Sequence, residues 1–275
     1  MLIKKLYNNL MANCNHNCNE CSVTDCNSRI EKARLHDGSS IKKTIAVVSA
    51  KGGVGKSLVT TLLAISKNKE GKKVAILDAD ITGPSIPKAF NIKGPLYAEN
   101  NAIVPLISRD GIKIVSASLL LDNNNEPILW RGPLIANMVK QFYTDVNYGD
   151  IDYLFIDMPP GTGDVALTAF QSINISGIVI VTTPQDLVNE IVAKAIEMAN
   201  KMNIKVYGVI ENMAYLECPD CHKHIDVFGK SHINEIIDKY HLPLLGQIPI
   251  DNSITDLIDK GTIEDIKKTY IKISE

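Results

Sequence analysis

The sequence predicts an α/β fold, with an open, mainly parallel sheet and helices on both of its faces. Five short apolar runs rich in Val and Ile have the composition of strands that are covered on both sides, at 44–49, 73–77, 151–156, 178–182 and 206–210. A stretch with helical periodicity separates each run from the next, at 56–67, 133–145, 164–171 and 187–202. Strands that alternate with helices are joined by crossover connections, so neighbouring strands of this sheet should run parallel.

The composition is that of a globular protein with a core large enough to fold without disulfide bonds. The 275 residues are 45% hydrophobic and 22% charged, and the formal net charge is −2. This balance gives no general attraction to nucleic acid or to an anionic membrane. No apolar run approaches the roughly 20 residues that span a bilayer, and no secretory signal follows Lys4 and Lys5. We therefore expect a cytoplasmic protein whose cysteines stay reduced.

The chain is expected to have three parts. Residues 1–28 contain four of the six cysteines and form a small cysteine-rich N-terminal segment. Charged residues and the turn-forming run 37–40 predict a linker over 29–42. The α/β domain then occupies 43–275 and contains the other two cysteines.

A glycine-rich stretch follows the first predicted strand and precedes the first predicted helix. In this position backbone N–H groups can surround a phosphate, while Lys56 reaches the β and γ oxygens and the Ser57 hydroxyl ligates Mg²⁺. The common pattern G-x-x-x-x-G-K-[ST] fails at Ala50, and a variant with a second lysine, Lys51, fits instead. A glycine-rich turn without a ligand is the alternative. The predicted nucleotide-binding residues of this loop are Lys51, Gly52, Gly53, Val54, Gly55, Lys56, Ser57 and Leu58.

Three aspartates stand at the ends of predicted strands. Asp78 and Asp80 follow the second strand, and Asp157 follows the third. The carboxyl ends of parallel strands face the crevice where ligands bind, so these carboxylates can hold Mg²⁺ through water and orient an attacking water. Each aspartate alone is also compatible with a helix N-cap or a turn, but their occurrence together with the glycine-rich loop favours a nucleotide site.

These motifs resemble the Mrp-type iron–sulfur cluster carrier ATPases. That family lies within a larger class of P-loop NTPases with a deviant Walker A motif, which includes MinD, ParA and the nitrogenase iron protein. The matching segments cover nearly the whole chain from residue 44 to about 251, and they are 51–57, 78–87, 130–133, 157–164, 183–186, 211–213, 218–221, 228–230 and 246–249.

The resemblance implies a role for each matching residue of the nucleotide site. Lys51 would reach the nucleotide of the partner subunit, Lys56 would bind phosphate, and Asp80 would position the hydrolytic water. These three residues are therefore the catalytic candidates. Ser57 and Asp157 would hold Mg²⁺.

The resemblance also implies that Asn212 contacts the adenine. Ala50 departs from the glycine that is commoner in this class of proteins. The neighbouring glycines Gly52, Gly53 and Gly55 are present, so we expect nucleotide binding to be retained.

Cys218 and Cys221 form a Cys-x-x-Cys motif in a loop after the fifth predicted strand. The spacing alone fits a zinc site, a redox dithiol or a shared iron–sulfur cluster. Two thiolates cannot complete the four-ligand shell of a [4Fe–4S] cluster, but a twofold symmetric dimer would supply four. The resemblance implies this last arrangement. His222 and His224 are expected to be polar loop residues and not ligands.

The other four cysteines, Cys14, Cys18, Cys21 and Cys26, are separated by three, two and four residues. They can enclose one iron–sulfur cluster within a single chain, although the spacing copies neither bacterial nor plant-type ferredoxins. Zinc is the alternative occupant. Some members of the family carry such an N-terminal extension, and here it suggests a second, more firmly held cluster.

The leading hypothesis is a homodimeric ATPase that assembles a [4Fe–4S] cluster at the Cys218 and Cys221 pairs and transfers it to apo-proteins. ATP hydrolysis would be slow and would switch the dimer between two arrangements. Iron–sulfur client proteins and cluster scaffolds are the expected partners. We expect no nucleic-acid partner and no stable membrane association.

Two other functions use the same fold. A MinD- or ParA-like positioning ATPase would act through membrane or DNA, and in 263–273 the side chains of Ile263, Ile266, Tyr270 and Ile273 share one helical face. Lysines there are offset by acidic residues, so we expect a terminal helix that packs on the core. An ATP-dependent reductase resembling nitrogenase iron protein would retain its cluster through many redox cycles, whereas a carrier would pass it on.

Overall fold

A computed structural model describes residues 32–49, 51–80, 85–120, 132–161, 164–184 and 188–273. Its strands are β1 Ser40–Val48, β2 Val74–Asp78, β3 Tyr97–Glu99, β4 Ala102–Val104, β5 Leu106–Ile107, β6 Lys113–Ser116, β7 Asp150–Asp157, β8 Gly177–Thr182, β9 Val206–Glu217, β10 His224–Ile225 and β11 Leu244–Ile250. Its α-helices are α1 Lys56–Lys69, α2 Ser85–Ala89, α3 Gly132–Thr144, α4 Asp164–Ser172, α5 Val188–Lys201, α6 Ile233–Tyr240 and α7 Asn252–Lys260.

Nine of the described strands form one sheet. Their order is β10-β9-β8-β1-β7-β2-β6-β5, and β11 also pairs with β9. All neighbours are parallel except the two edge pairs, β10 with β9 and β5 with β6. β3 and β4 form a separate antiparallel ribbon. The predicted open, mainly parallel sheet is confirmed.

Helices cover both faces of this sheet, as predicted. Side chains of α3, α4, α5 and α6 belong to one buried cluster, and those of α1, α2 and α7 belong to a second. The strand β1 shows how the sheet divides them, because Ala46 and Val48 join the first cluster while Ile45 and Val47 join the second. Central strands that are buried on both faces explain the nearly continuous apolar runs in the sequence.

The strand order brings the carboxyl ends of three strands together. β1 lies beside β7, and β7 lies beside β2, so the loops that follow these strands meet at their carboxyl ends. Asp78 on β2 is the register partner of Asp157 on β7, and Val47 on β1 is the partner of Asp157 on the other side. Parallel sheets bind ligands at the carboxyl ends of their strands.

The packed unit begins before the predicted domain boundary at residue 43. β1 starts at Ser40, and Ala33 N donates to Ser172 O at 2.7 Å. The ammonium group of Lys32 donates to Ile173 O at 2.8 Å. Lys32 and Ala33 of the predicted linker 29–42 are therefore fixed to the end of α4, because they donate to carbonyls there.

The segment 263–273 packs on the core, but the predicted helix is wrong. Only Ile263–Asp265 forms a short 3₁₀ turn. Beyond it, the ammonium groups of Lys69 and Lys67 bind the carbonyls of residues 266 and 273, and the amide of residue 272 donates to Leu245 O at 2.9 Å. These partners replace helical hydrogen bonds, while Ile263 and Ile271 are buried in the second cluster. Among the helices that the structure describes, none has the length and apolar character needed to cross a membrane.

Candidate functional site

The loop between β1 and α1 has the backbone of an anion-binding site. Gly53 and Gly55 have φ angles of +79° and +81°, which glycine adopts without a Cβ clash. Gly55 is the N-cap of α1, and within the described residues no side chain caps it. The amide groups of the first turn are therefore open to an acceptor, and the positive end of the helix dipole favours an anion.

A cleft of about 360 Å³ opens over this loop. One wall contains Gly53, Lys56 and Ser57, and Asp80 and Pro160 line it as well. The volume lies within the range of small-ligand sites, roughly 300 to 1,000 Å³. Leu58 also lines the cleft, whereas Val54 points into the core, with 5% of its surface exposed. The loop and its cleft fit a nucleotide phosphate chain.

Asp157 is held by three side chains of α1. Its Oδ1 lies 2.7 Å from Lys56 Nζ and accepts from Thr60 Oγ1 at 3.0 Å, and its Oδ2 accepts from Ser57 Oγ at 2.5 Å. Burial raises the pKa of this carboxyl, and the Lys56 ammonium opposes that rise. The two predicted Mg²⁺ residues, Ser57 and Asp157, are thus in direct contact.

Asp78 is a second buried carboxyl beside Asp157. Burial raises its pKa well above the usual range, and the charge of Asp157 raises it further. Ser116 Oγ donates to Asp78 Oδ2 at 2.8 Å, and Asp80 N donates to Oδ1 at 3.2 Å. Asp78 therefore anchors the start of the loop that carries Asp80.

The predicted catalytic residues lie around the cleft. Lys56 Nζ is 3.4 Å from Asp80 Oδ2, so the ammonium lies between Asp80 and Asp157. Lys51 is exposed at the start of the loop, where its carbonyl accepts from Ser49 Oγ at 3.0 Å.

Asn212 lies behind the phosphate loop. It is buried, and its Nδ2 donates to Val54 O at 2.9 Å. A Cβ placed on Gly55 would be 2.1 Å from that nitrogen. In this structure the amide of Asn212, the predicted adenine contact, therefore supports the loop backbone.

Cys218 and Cys221 lie in the loop of an antiparallel hairpin. We call residues 213–230 the cysteine hairpin; it comprises the end of β9, the loop and β10. Cys218 N donates to Lys223 O at 3.0 Å, and His222 N donates to Cys218 O at 2.9 Å. Backbone N–H groups of Cys221 and Asp220 lower the pKa of the Cys218 thiol, which favours the thiolate that binds metal. Cys218 is half-buried and Cys221 is exposed.

The two histidines of the hairpin have partners other than the thiols. His222 Nδ1 lies 2.7 Å from Glu217 Oε1, and the His224 ring stacks on Tyr215 with centroids 3.8 Å apart. Across the part of the chain that the structure describes, no group of three or more potential ligands from His, Cys, Asp and Glu is assembled. One chain therefore offers the two thiols as an incomplete ligand set at this position.

The cysteine hairpin also exposes large apolar side chains. Leu216 and Ile225 are cross-strand partners and are 37% and 47% exposed. Val227 and Phe228 follow in the chain and are 49% and 42% exposed. We call these four residues the hairpin patch. A cluster of this kind is typical of an interaction surface.

Two residues of the site, Thr60 and Ser116, belong to no motif that the sequence analysis used. Thr60 nevertheless stands four residues after Lys56 and so shares its helical face. The predicted N-terminal ligands lie outside the described residues, and they are Cys14, Cys18, Cys21 and Cys26.

Comparison with known proteins agrees with this geometry. A family model described as ParA, NUBPL iron-transfer P-loop NTPase, matches residues 40–274. An iron–sulfur cluster carrier protein of Clostridium perfringens is 43% identical over 248 residues, which make up 87% of this chain and 87% of that protein.

Solved structures extend the comparison to the fold. A nucleotide-binding protein of Archaeoglobus fulgidus, in complex with ADP and with cobalt found in it, is 44% identical with a TM-score of 0.75, over 83% of this chain and 90% of that one. A chain of the MinC–MinD cell division complex of Aquifex aeolicus has a TM-score of 0.58 over 80% of this chain and 86% of that one. Its identity is 20%, so this second likeness concerns the fold alone.

Proposed function

Because the chain belongs to the NUBPL iron-transfer family of ParA-type P-loop NTPases, we propose that it is an ATPase that assembles a [4Fe–4S] cluster and transfers it to apo-proteins. The observation that carries this proposal is the path of β9. The same strand contacts the phosphate loop through Asn212 and leads directly to Cys218. A nucleotide site and a pair of metal-binding thiols are therefore joined by one element of the fold.

The nucleotide would bind with its phosphates over the loop. Gly53 and Gly55 line the cleft, where their backbone amides would face the phosphates, and Lys56 would turn from Asp157 toward them. Ser57 and Asp157 would hold Mg²⁺, which neutralises phosphate charge when it is bound.

The same site supports hydrolysis of the bound ATP. Asp80 lies at the cleft wall and is the residue we assign to positioning the attacking water. Lys51 is exposed at the mouth of the loop, a position from which it can reach the nucleotide of a second subunit. Hydrolysis in an isolated chain would therefore be slow.

The cluster would lie between two copies of the chain. Among the described residues, one chain supplies two cysteines at this position, Cys218 and Cys221, and a [4Fe–4S] cluster takes four cysteine ligands. A twofold axis through the cluster would provide them and would also bring the two hairpin patches together. The lowered pKa of Cys218 favours the ligating thiolate. Zinc is the competing occupant of the same thiols.

The N-terminal cysteines would hold a second site within one chain. Cys14, Cys18, Cys21 and Cys26 supply four thiolates without a partner subunit, for an iron–sulfur cluster or for zinc. Reduced thiols of both groups suit the cytoplasm, where apo-iron–sulfur proteins and cluster scaffolds are the proposed partners. We propose neither a nucleic-acid partner nor stable membrane association.

Cluster transfer on mixing tests the proposal. The full chain is reconstituted anaerobically with iron and sulfide, bound iron and zinc are quantified, and the protein is mixed with apo-ferredoxin. We expect the wild type to pass its cluster on, and Cys218→Ala with Cys221→Ala to lose that capacity while still binding ATP. Retention of the cluster through repeated redox cycles, without transfer, would instead identify a reductase. A double variant that keeps its iron and transfers equally well would refute the carrier proposal.

A further inference from the structure

The buried carboxylate of Glu211 lies at the base of the cysteine hairpin, where it joins the strand before the hairpin to Ser231 after it. Glu211 precedes Asn212 in β9, and 1% of its surface is exposed. Its Oε1 accepts from Ser231 Oγ at 2.6 Å across twenty residues of chain. Its Oε2 accepts from Gln247 Nε2 at 2.6 Å, and Gln247 is its register partner on β11. Both hydrogen bonds are short and come from neutral donors. We call these two hydrogen bonds, from Ser231 and Gln247 to the Glu211 carboxylate, the clasp of the hairpin.

Ser231 fixes the returning end of the hairpin to the core. Besides donating to Glu211, its hydroxyl accepts from Ile233 N at 3.2 Å, at the first residue of α6. Ile233 and Ile236 of that helix are buried in the first cluster. The returning end is thus fixed by one hydroxyl, which contacts both the strand β9 and the helix α6.

The outgoing end of the hairpin contains a bend directly after Asn212. Met213 has a φ of +56°, an uncommon conformation for a residue with a side chain. The pairing of β9 with β11 shifts register here, because Ile248 pairs with Asn212 and Ile250 pairs with Leu216. Bulges bend a strand locally, and strained residues concentrate at switch regions. The bend at Met213 therefore separates the cysteine hairpin from the part of β9 that contacts the phosphate loop.

The phosphate loop lies one residue from this clasp. Asn212 holds the carbonyl of Val54, and that carbonyl shares a planar trans peptide group with the amide of Gly55. The carbonyl and the amide of one peptide group point in opposite directions, and Gly55 lines the cleft. An anion that binds the amide side of this peptide group therefore acts on Asn212 through its carbonyl side.

We propose that Glu211 is a positioning residue that couples the phosphate loop to the cysteine hairpin. Its hydrogen bond to Ser231 holds the hairpin in one orientation about Met213, and nucleotide acting through Val54 and Asn212 changes the strength of that hold. The inference rests on the proposed carrier function and supplies the link by which nucleotide controls access to the thiols. The coupling needs a change of only a few contacts, because β9 carries the loop contact, the clasp and the bend in consecutive residues.

The test weakens the clasp at its partner Ser231. Ser231→Ala deletes one half-buried hydroxyl, and Ser231→Thr retains a hydroxyl. Ser108→Ala is a matched control, because Ser108 Oγ also donates to a carboxylate, that of Glu264, at 2.6 Å and accepts a backbone amide at 3.0 Å. Ser108 precedes β6 near the opposite edge of the sheet, far from the hairpin in strand order.

The readout is hydrogen–deuterium exchange of the full-length, metal-free protein over residues 213–230, without nucleotide, with ADP and with a non-hydrolysable ATP analogue. We expect wild-type exchange rates to differ between nucleotide states by about 5-fold or more, a typical allosteric coupling. In Ser231→Ala the difference should fall below about 2-fold, and nucleotide affinity should change by no more than the factor by which nucleotide alters wild-type exchange, while Ser231→Thr and Ser108→Ala keep the difference.

Two results would overturn the coupling. One is a wild-type hairpin whose exchange does not respond to nucleotide, and the other is a Ser231→Ala variant that responds as the wild type does. Because the metal-free protein is measured, this failure is distinct from a failure of the carrier function, which shows itself in iron content and cluster transfer.

Discussion

The ammonium group of Lys56 lies 2.7 Å from Oδ1 of Asp157, and both side chains are almost completely withdrawn from solvent. The first helix after the phosphate loop therefore both neutralises and orients the carboxylate that ends β7. Ser57 and Thr60 of the same helix donate to that carboxylate, so it keeps two hydrogen bonds if the ammonium turns toward phosphate.

Removal of this cation should destabilise the protein strongly. In Lys56→Met the buried Asp157 carboxylate loses its counter-ion, and breaking a buried pair from one side typically costs about 3 to 5 kcal/mol. We expect the free energy of unfolding, measured by urea denaturation without nucleotide, to fall by this amount, and ATP binding to be lost. Asp157→Asn should be milder, because Lys56 retains Asp80 at 3.4 Å.

The matched control is Lys42→Met. Lys42 Nζ forms an ion pair with Asp152 at the same 2.7 Å distance, but its side chain is 75% exposed. Loss of a pair at the surface should have little effect on stability. Equal effects of the two lysine substitutions would contradict the role assigned to the Lys56 pair.

The pH dependence of stability should reveal the second buried carboxyl. The pKa of Asp78 is raised in the folded state, so its contribution to stability is fully present below the unfolded-state pKa of about 3.9 and is lost as the pH rises through the folded-state pKa. Asp78→Asn removes this loss. We therefore expect the unfolding free energy of Asp78→Asn, relative to the wild type, to increase as the pH rises from about 4 toward neutrality.

A control with the opposite sign exists in Asp152, whose pKa is lowered by its hydrogen bond to Lys42. Its contribution is present above the unfolded-state pKa and is lost as the pH falls through the folded-state pKa. Asp152→Asn should therefore change relative to the wild type in the other direction and over a lower pH window, below the unfolded-state pKa of about 3.9. A constant difference between wild type and Asp78→Asn across the same pH series would show that Asp78 keeps an ordinary pKa.

Two glycines of the phosphate loop should tolerate alanine differently. Gly53 and Gly55 have nearly the same positive φ, which costs an L-residue about 1 to 2 kcal/mol. A Cβ on Gly53 meets nothing within 4 Å, whereas a Cβ on Gly55 would meet Asn212 Nδ2 at 2.1 Å. Thermal unfolding without nucleotide should therefore show a larger loss of stability for Gly55→Ala than for Gly53→Ala.

The additional loss is assigned to the Asn212 side chain, so Asn212→Ala should reduce the penalty of Gly55→Ala in a double-mutant cycle. Additive effects of the two substitutions would place the penalty elsewhere.

The hairpin patch should support association of cluster-loaded chains. Ile225→Ser together with Phe228→Ser removes exposed apolar area beside the thiols, and we expect sedimentation of the reconstituted protein to show a weaker dimer while ATP binding is unchanged. Ile107→Ser is the control, because Ile107 is 62% exposed on β5 at the opposite edge of the sheet. An unaltered dimer in the double variant would exclude the patch from the interface.

Periodicity and short motifs predict most of the fold. The five predicted strands and the four helices between them all occur, because buried parallel strands and amphipathic helices leave strong local patterns. The segment 263–273 fails as a helix for a non-local reason. Its apolar spacing fits helical periodicity, but its carbonyls are bound by lysines of α1, which no local pattern reveals.

The sequence likewise predicts some contacts of the candidate site and not others. The sequence identifies Lys56, Ser57 and Asp157 because each stands at a fixed offset in a motif, and the structure brings them into contact. The clasp between Glu211 and Ser231 joins residues twenty positions apart and depends on the path of the hairpin. Contacts of that kind follow from tertiary structure and have no sequence period.

The central claim is that two chains share one cluster at Cys218 and Cys221, and native mass spectrometry of the reconstituted full-length protein tests it most directly. The N-terminal site is removed first by replacing Cys14, Cys18, Cys21 and Cys26 with serine. We predict a dimer that carries four iron and four sulfide ions, and no iron once Cys218→Ala and Cys221→Ala are added. A monomer that holds a single metal ion, or a dimer whose iron survives loss of both cysteines, would contradict the claim.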